Sequence, residues 1–400
     1  MERIVVLGGG FAGLWSAVGA ARKRDELGIA PWKLEIVLVD RTDFHAIRVR
    51  NYERGICEAR VGLDEVLSPI GVRRVRGAVR DIDFGRRAVA IEGLAEPIGY
   101  DRLVFALGSE VARPDLPGFA EFAFDVDTYE GAARLGVHLA GLRARPASAG
   151  RGTVLVIGGG LTGIEVAAEM PGRFASFGGE RVILADRARW IGSDMGEDAR
   201  AVIDEALGAL GVEARPGVAL AAIDAGGAML AGGERIEAET IIWCCGMRAH
   251  PLTARFPGAR DGLGRVAVDE CLKVKGMGAE FAAGDCAWLA IDGAHSSVMS
   301  CQHARPMGRF AGHNAVCDLV GAKMLPLHIG WYVTVLDLGA WGAVYTEGWE
   351  RRVALTGEKA KRVKRTINCA RIYPPVLGGR RAILDAGAAI VQAPPGYTPS

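Results

Sequence analysis

Arg3-Ile4-Val5-Val6-Leu7-Gly8-Gly9-Gly10-Phe11-Ala12-Gly13 is the stretch that decides how this chain is read. An apolar run without alternation suits a strand of a parallel sheet covered on both faces. Gly8, Gly10 and Gly13 then fill the three places of a G-x-G-x-x-G turn. The first glycine permits the tight turn, the second lets backbone approach a pyrophosphate, and the third lets helix pack on strand. The helix beginning Leu14-Trp15-Ser16-Ala17 would aim its unpaired N–H groups and macrodipole at that anion. A second strand, Leu34 to Val39, ends at Asp40, the acid expected on a ribose hydroxyl. The interval from Gly13 to Asp40 is longer than usual, which we assign to a helix and loop extended over Arg22 to Trp32.

The whole pattern recurs about 150 residues later. Thr153 to Ile157 reads as a strand, Gly158-Gly159-Gly160-Leu161-Thr162-Gly163 as the turn, and Ile164 to Glu169 as a helix that Pro171 should stop. Arg181 to Ala185 supplies the next strand, ending at Asp186. Two complete strand–turn–helix–strand–acid units predict an α/β chain with two Rossmann-like dinucleotide-binding domains.

Composition agrees with such an architecture. Four hundred residues are too many for one ordinary core. Lys and Arg number 48 against 47 Asp and Glu, and this net charge of +1 argues against a nucleic-acid partner. Half of the residues are hydrophobic, yet mean hydropathy is only +0.17 and no run approaches the ~20 apolar residues of a membrane span. The chain begins directly with a strand-like run, without the charged and apolar regions of a signal peptide, so a cytoplasmic protein is expected. Glycine supplies 56 residues, about twice ordinary usage, as many tight turns would require. The eight cysteines make no Cys-x-x-Cys pair and no zinc-type spacing, so no metal is expected.

Further segments occur in a telling order: Tyr100 to Gly108, Thr240 to Gly246, and Glu280-Phe281-Ala282-Ala283-Gly284-Asp285-Cys286-Ala287. Over residues 1 to 320 the chain resembles the flavoproteins with two dinucleotide folds, a family that includes glutathione reductase, ferredoxin reductases and type II NADH dehydrogenases. The resemblance implies FAD on the first turn. Its contacts would be Gly8, Gly10, Phe11, Ala12, Gly13, Asp40, Arg41, Val79, Ala106, Leu107, Gly108, Gly284 and Asp285, joined by Gln302, His303 and Ala304. NAD(P)H would lie on the second turn, against Gly158, Gly160, Leu161, Thr162, Gly163, Asp186, Cys244 and Gly246. The FAD domain would comprise residues 1–118 and 262–324, with the NAD(P)H domain at 119–261. Alternating residues after Met324 (Trp331 to Gly339, Gly342 to Thr346) predict hairpin strands in a small C-terminal α+β domain at 325–400, often a dimer or acceptor platform in this family.

Hydride transfer to a flavin needs stacking and exclusion of water more than a triad of side chains. The resemblance places Glu165 where it would orient the nicotinamide; an exposed helix carboxylate is the alternative. Asp186 should repel a 2′-phosphate and favour NADH, although Arg187 and Arg189 nearby would accommodate NADPH. Disulfide reductases of the family carry a cysteine pair after the first acid. Arg41 to Glu53 contains none and Cys57 stands alone, which argues against a two-thiol relay. A single-cysteine peroxidase or NADH oxidase mechanism through Cys57 is left as the thiol alternative, with no activating partner identified for it.

Asp40 to His45 and Ser300-Cys301-Gln302-His303-Ala304-Arg305-Pro306-Met307-Gly308 are similar to type II NADH dehydrogenase segments, the second being their quinone-site helix. That resemblance implies electron transfer from NADH through FAD to a quinone or quinone-like small molecule, with Glu165, Gln302, His303 and His45 as the catalytic candidates. His45 and His303 would shuttle protons. Two departures stand out. Pro306 replaces the family's second glutamine, and Arg48-Val49-Arg50 replaces an apolar segment. Arginines at the mouth would suit an anionic acceptor, unless they pair with Glu53 or Glu58. The alternatives are a reductase for a small iron–sulfur carrier and a flavin-bearing binding protein that responds to NADH. Membrane-bound relatives end in an amphipathic helix with aromatic anchors. Here the basic run Gly357 to Asn368 reads mainly as a solvated face and the Pro-rich end, Ala393 to Ser400, is no anchor, so at most weak peripheral membrane contact is expected.

Overall fold

The computed structural model describes residues 1–175 and 181–397; Thr398, Pro399 and Ser400, the end of the Pro-rich tail, lie outside them. Two five-stranded parallel sheets carry the two glycine turns. In the first, the strands lie in the order Glu280–Ala282, Arg102–Phe105, Glu2–Leu7, Leu34–Asp40, Arg73–Arg76. In the second the order is Ala123–Phe124, Thr240–Trp243, Thr153–Ile157, Arg181–Asp186, Val212–Pro216. Each turn-bearing strand is central and pairs in step on both sides, Ile4 with Ile36 and Arg102, Val154 with Val182 and Thr240. Ile4 to Leu7 and Val154 to Ile157 are buried, as continuous apolar runs in covered sheets should be. Both turns leave their strands where the strand order reverses, the position at which open α/β sheets form a ligand crevice.

Between the sheets, Ser109–Val111 pairs antiparallel with Met247–Ala249, so the two crossing segments brace each other. The helix Leu161–Ala175 runs through Pro171 rather than stopping there. Burial of Ile164, Ala167, Met170 and Phe174 along one face outweighs the hydrogen bond that proline removes.

Helix Cys301–Val320 lies against helix Phe11–Glu26 at close quarters. A Cβ on Gly308 would stand 2.2 Å from the Ala12 carbonyl oxygen, and one on Gly312 1.9 Å from that of Ser16. The C-terminal region forms a three-stranded antiparallel sheet, Val333–Asp337, Ala343–Glu347 and Arg352–Thr356, then helix Gly357–Thr366 and a π-helical turn Ile367–Arg371. The basic helix exposes Lys359, Arg362 and Arg365 as expected, but it buries Ala360 and Lys364 against the sheet. No helix among the described residues is long and apolar enough to cross a membrane.

Candidate functional site

The two turns share one construction. Gly8 and Gly158 have φ of +102° and +112°, and a Cβ on Gly13 or Gly163 would stand 1.8 or 1.7 Å from the carbonyl oxygen of Gly8 or Gly158. Side chains are therefore barred there. Gly10 and Gly160 differ: a Cβ at either would meet nothing within 4 Å, so the space over them is open to a ligand. The terminal acids are held by backbone donors. Asp40 accepts hydrogen bonds from the Gly9 N–H and the Thr42 N–H (2.7 Å), Asp186 from the Gly159 N–H and the Ala188 N–H (2.6 Å). Each acid thus ties the end of its strand to the neighbouring turn.

A cavity of about 610 Å³ opens at the first turn. Of the predicted residues, Gly8, Gly10, Phe11, Ala12, Asp40, Arg41, Val79, Ala106, Leu107, Gly108, Asp285, Gln302 and Ala304 line it. From the second turn only Leu161, Thr162 and Glu165 reach it. Gly13 and Gly284 are buried behind the wall, where a Cβ on Gly284 would come 2.6 Å from that of Ala12. Gly158, Gly160, Gly163, Asp186, Cys244 and Gly246 are not among its lining. Asp285 accepts a hydrogen bond from Ser109 Oγ at 2.7 Å, and Arg48 donates to that same hydroxyl at 3.1 Å.

Both histidines proposed as proton shuttles are in the wrong place for it. His45 and His303 have no exposed surface and neither lines the cavity. Burial pushes each down to about 4, so both rings are neutral. His45 holds the Gly9 carbonyl through Nδ1 at 2.9 Å and packs edge-on against Phe11, while His303 Nδ1 accepts from the Val298 N–H at 2.9 Å. They brace the turn and the loop before the long helix. Gln302 does line the cavity, and its Oε1 accepts from the Val333 N–H at 3.4 Å, linking that helix to the C-terminal sheet. Pro306, one turn on, has no N–H to offer the Gln302 carbonyl.

Glu165 is not an exposed carboxylate: only 8% of it is accessible. Its Oε1 receives Lys364 Nζ at 2.6 Å and the Asp337 N–H at 3.0 Å. Burial raises the Glu165 carboxyl against the pull of Lys364 and that N–H. Burial would lower the Lys364 ammonium, but Glu165 beside it holds its pKa above the ordinary value. Lys364 lines the cavity too, and it escaped sequence reasoning because a basic run reads as a solvated face.

The arginine mouth resolves into ion pairs. Arg48 binds Asp127 at 3.0 Å, and Arg50 binds Glu53 at 2.8 Å and the Tyr373 hydroxyl at 2.6 Å. Arg48 still lines the cavity while Arg50 does not, and there, without such carboxylate partners among the described residues, it is joined by Arg305 and Arg309. Their spacing, one helical turn apart and just past Gln302, was the available signal. All eight cysteines are free thiols, Cys57 is exposed away from the cavity, and Cys301 alone among them lines it, its thiol pushed up by burial.

The residues present fit a bound FAD. The first helix has neither an acidic residue in its first turn nor a side-chain cap, which leaves N–H groups for a diphosphate. Buried polar atoms on the lining, Tyr52 Oη, Ser300 Oγ and Thr334 Oγ1, have no partner in the protein and suit a polar ring system.

A glycine turn of this kind on each of two parallel sheets defines an FAD- and NAD(P)H-dependent oxidoreductase. Residues 2–308 match the pyridine nucleotide-disulphide oxidoreductase family, and the chain belongs to it. It is an oxidoreductase that binds FAD and NADH. The NADH dehydrogenase-like protein Rv1812c of Mycobacterium tuberculosis is 53% identical over 99% of this chain and all of its own length. Demethylphylloquinone reductase NdbB of Synechocystis is 28% identical, covering 86% of each chain. In fold, the NDH2 of Plasmodium falciparum solved with NADH is similar at a TM-score of 0.75, with 12% identity over 96% of this chain and 97% of that one.

Proposed function

We propose that the protein is an NADH dehydrogenase that passes two electrons from NADH through FAD to a quinone-like small molecule, in the balance NADH + H⁺ + quinone → NAD⁺ + quinol. The observation that carries this reading is the single cavity running from the first glycine turn to Leu161, Thr162 and Glu165 of the second and on to the C-terminal segment. Bound FAD would supply the hydride acceptor and two-electron donor. The chain supports it with the open space over Gly10, with Asp285 held by Ser109, and with Gln302.

In the same reading Gly160, Thr162 and Asp186 hold NADH. Glu165, fixed by Lys364, sets the wall against which the nicotinamide packs and serves as a positioning residue. We keep the division into an FAD domain at 1–118 and 262–324, an NAD(P)H domain at 119–261 and a C-terminal domain at 325–400 as part of this proposal; the pairing of Ser109–Val111 with Met247–Ala249 between the two sheets supports it. Peripheral contact with a membrane through the exposed basic residues Lys359, Arg362 and Arg365 belongs to the same proposal. Steady-state NADH oxidation tests it: a soluble naphthoquinone should support turnover, while oxidised glutathione should not. Turnover with the disulfide and none with the quinone would overturn it.

A further inference from the structure

Arg305 and Arg309 are 9% and 3% exposed, and both line the cavity. Their guanidinium carbons lie 4.9 and 4.5 Å from the centre of the Trp15 ring, so the two charges share one aromatic surface. The Nε atoms of both are buried without a hydrogen-bond partner, and no ion pair among the described residues involves either side chain. Buried arginines elsewhere are satisfied: Arg265 pairs with Asp261 at 2.7 Å, and Arg24 donates to the carbonyls of Leu34, Ile70 and Gly71. Arg371, on the π-helical turn, brings a third cation to the same wall and donates to the Ala393 carbonyl. Burial pulls Arg305 and Arg309 down to about 10 and about 9, with the neighbouring arginines adding to the shift; both remain charged at neutral pH. A buried cation without a counter-charge is costly, so a cluster of them at a cavity wall is built for an anion.

The first helix's own N-terminus and the Gly8–Gly10 turn are the place for a cofactor diphosphate. Trp15 lies one turn further along that helix, and the cavity lining supplies apolar surface from Val49, Ile372, Val391 and Pro394, of which Val49 and Ile372 pack in one cluster with Phe11 and Cys301. We infer that the acceptor is a quinone-like ring carrying a carboxylate, with the ring against this apolar wall and the carboxylate among Arg305, Arg309 and Arg371. This rests on the quinone-reductase reading above. The carboxylate takes no part in the electron balance; it selects and orients.

The test uses the holoenzyme and a matched pair of probes: a naphthoquinone with a short carboxyalkyl chain and its methyl ester, whose unconjugated chains leave the ring potential alike. The wild type should show a KM for the acid on the order of tenfold to a hundredfold below that for the ester. Arg305→Met and Arg309→Met should each abolish most of that preference while retaining FAD and the KM for the ester. Equal KM values in the wild type, or a preference that survives both substitutions, would overturn the inference. So would loss of FAD from the variants, which would assign the cluster to the cofactor's diphosphate. Should either variant fail to fold, the half-buried Arg371 serves: Arg371→Gln must lower the preference, and an unchanged preference there overturns the inference. Reduction of both probes alike sinks the anion site alone, whereas reduction of neither sinks the quinone-reductase reading and the inference with it.

Discussion

The two glycine turns are near copies in backbone and differ in what surrounds them. Both use a left-handed first glycine, a third glycine pressed on the first, and an acid returning to the N–H of the second residue. The first turn forms the floor of a cavity roofed by helix Cys301–Val320, by the C-terminal sheet and by the segment through Pro394. The second contributes only the start of its helix to that cavity, and its acid is flanked by the exposed Arg187 and Arg189. One device thus serves two tasks. Walls on several sides suit a cofactor that stays, and an open side suits a nucleotide that must arrive and leave within each turnover.

The largest effects should come from filling the space over each middle glycine. Gly10→Val has room for its side chain in the fold, so it should yield a folded but colourless protein, read as flavin per protein by absorbance. Gly160→Val should keep its flavin and slow bleaching by NADH by at least about a hundredfold, the size of ~3 kcal/mol of lost binding. Retention of both cofactors by both variants would break the comparison.

Next in size is the link between the second turn's helix and the C-terminal sheet. Glu165→Gln leaves Lys364 buried and uncompensated, and should cost about 3–5 kcal/mol in chemical denaturation. Glu165→Gln with Lys364→Met should recover most of that loss. A single variant as stable as the wild type would deny the pair its structural role.

His45 braces the first turn and His303 the loop before the long helix, and both give the fold an acid weakness. The folded pKa values of about 4 lie below the ordinary 6.5, so each contributes stability that is present above pH 6.5 and lost as pH falls towards 4. The loss approaches roughly 3 kcal/mol per residue. His45→Gln keeps a donor for the Gly9 carbonyl without titrating, and should flatten this acid limb in denaturation curves measured across pH. An unchanged limb would remove His45 from the account. The smallest effect concerns nucleotide choice. Asp186→Ser should raise the NADPH/NADH ratio of kcat/KM about tenfold, the size of one partly desolvated charge contact. No shift would mean that the open site does not read the ribose through Asp186.

Legibility followed the distance over which each feature is encoded. Both turns and their acids were readable because a few local residues fix strand, turn and helix together. The hairpin strands at Val333–Asp337 and Ala343–Glu347 were readable from alternation. Glu165 was found without its partner, because Lys364 lies 199 residues away on a helix whose other basic residues are solvated. The segments of His45 and His303 border the cavity through Phe44, Ala46, Gln302 and Ala304, but motif spacing does not give the direction of a side chain, and both rings turn into the core. Arg305 and Arg309 were legible as a spacing only. A buried arginine needs tertiary context, here Trp15 and the close glycine contacts of Gly308 and Gly312, to reveal itself.

An anaerobic stopped-flow mix of the purified yellow protein with NADH, followed by a soluble naphthoquinone, tests the central claim most directly. The account predicts rapid bleaching by NADH and rapid return of the oxidised spectrum on adding the quinone. A flavin that NADH does not bleach, or a bleached one that no quinone reoxidises, would contradict it.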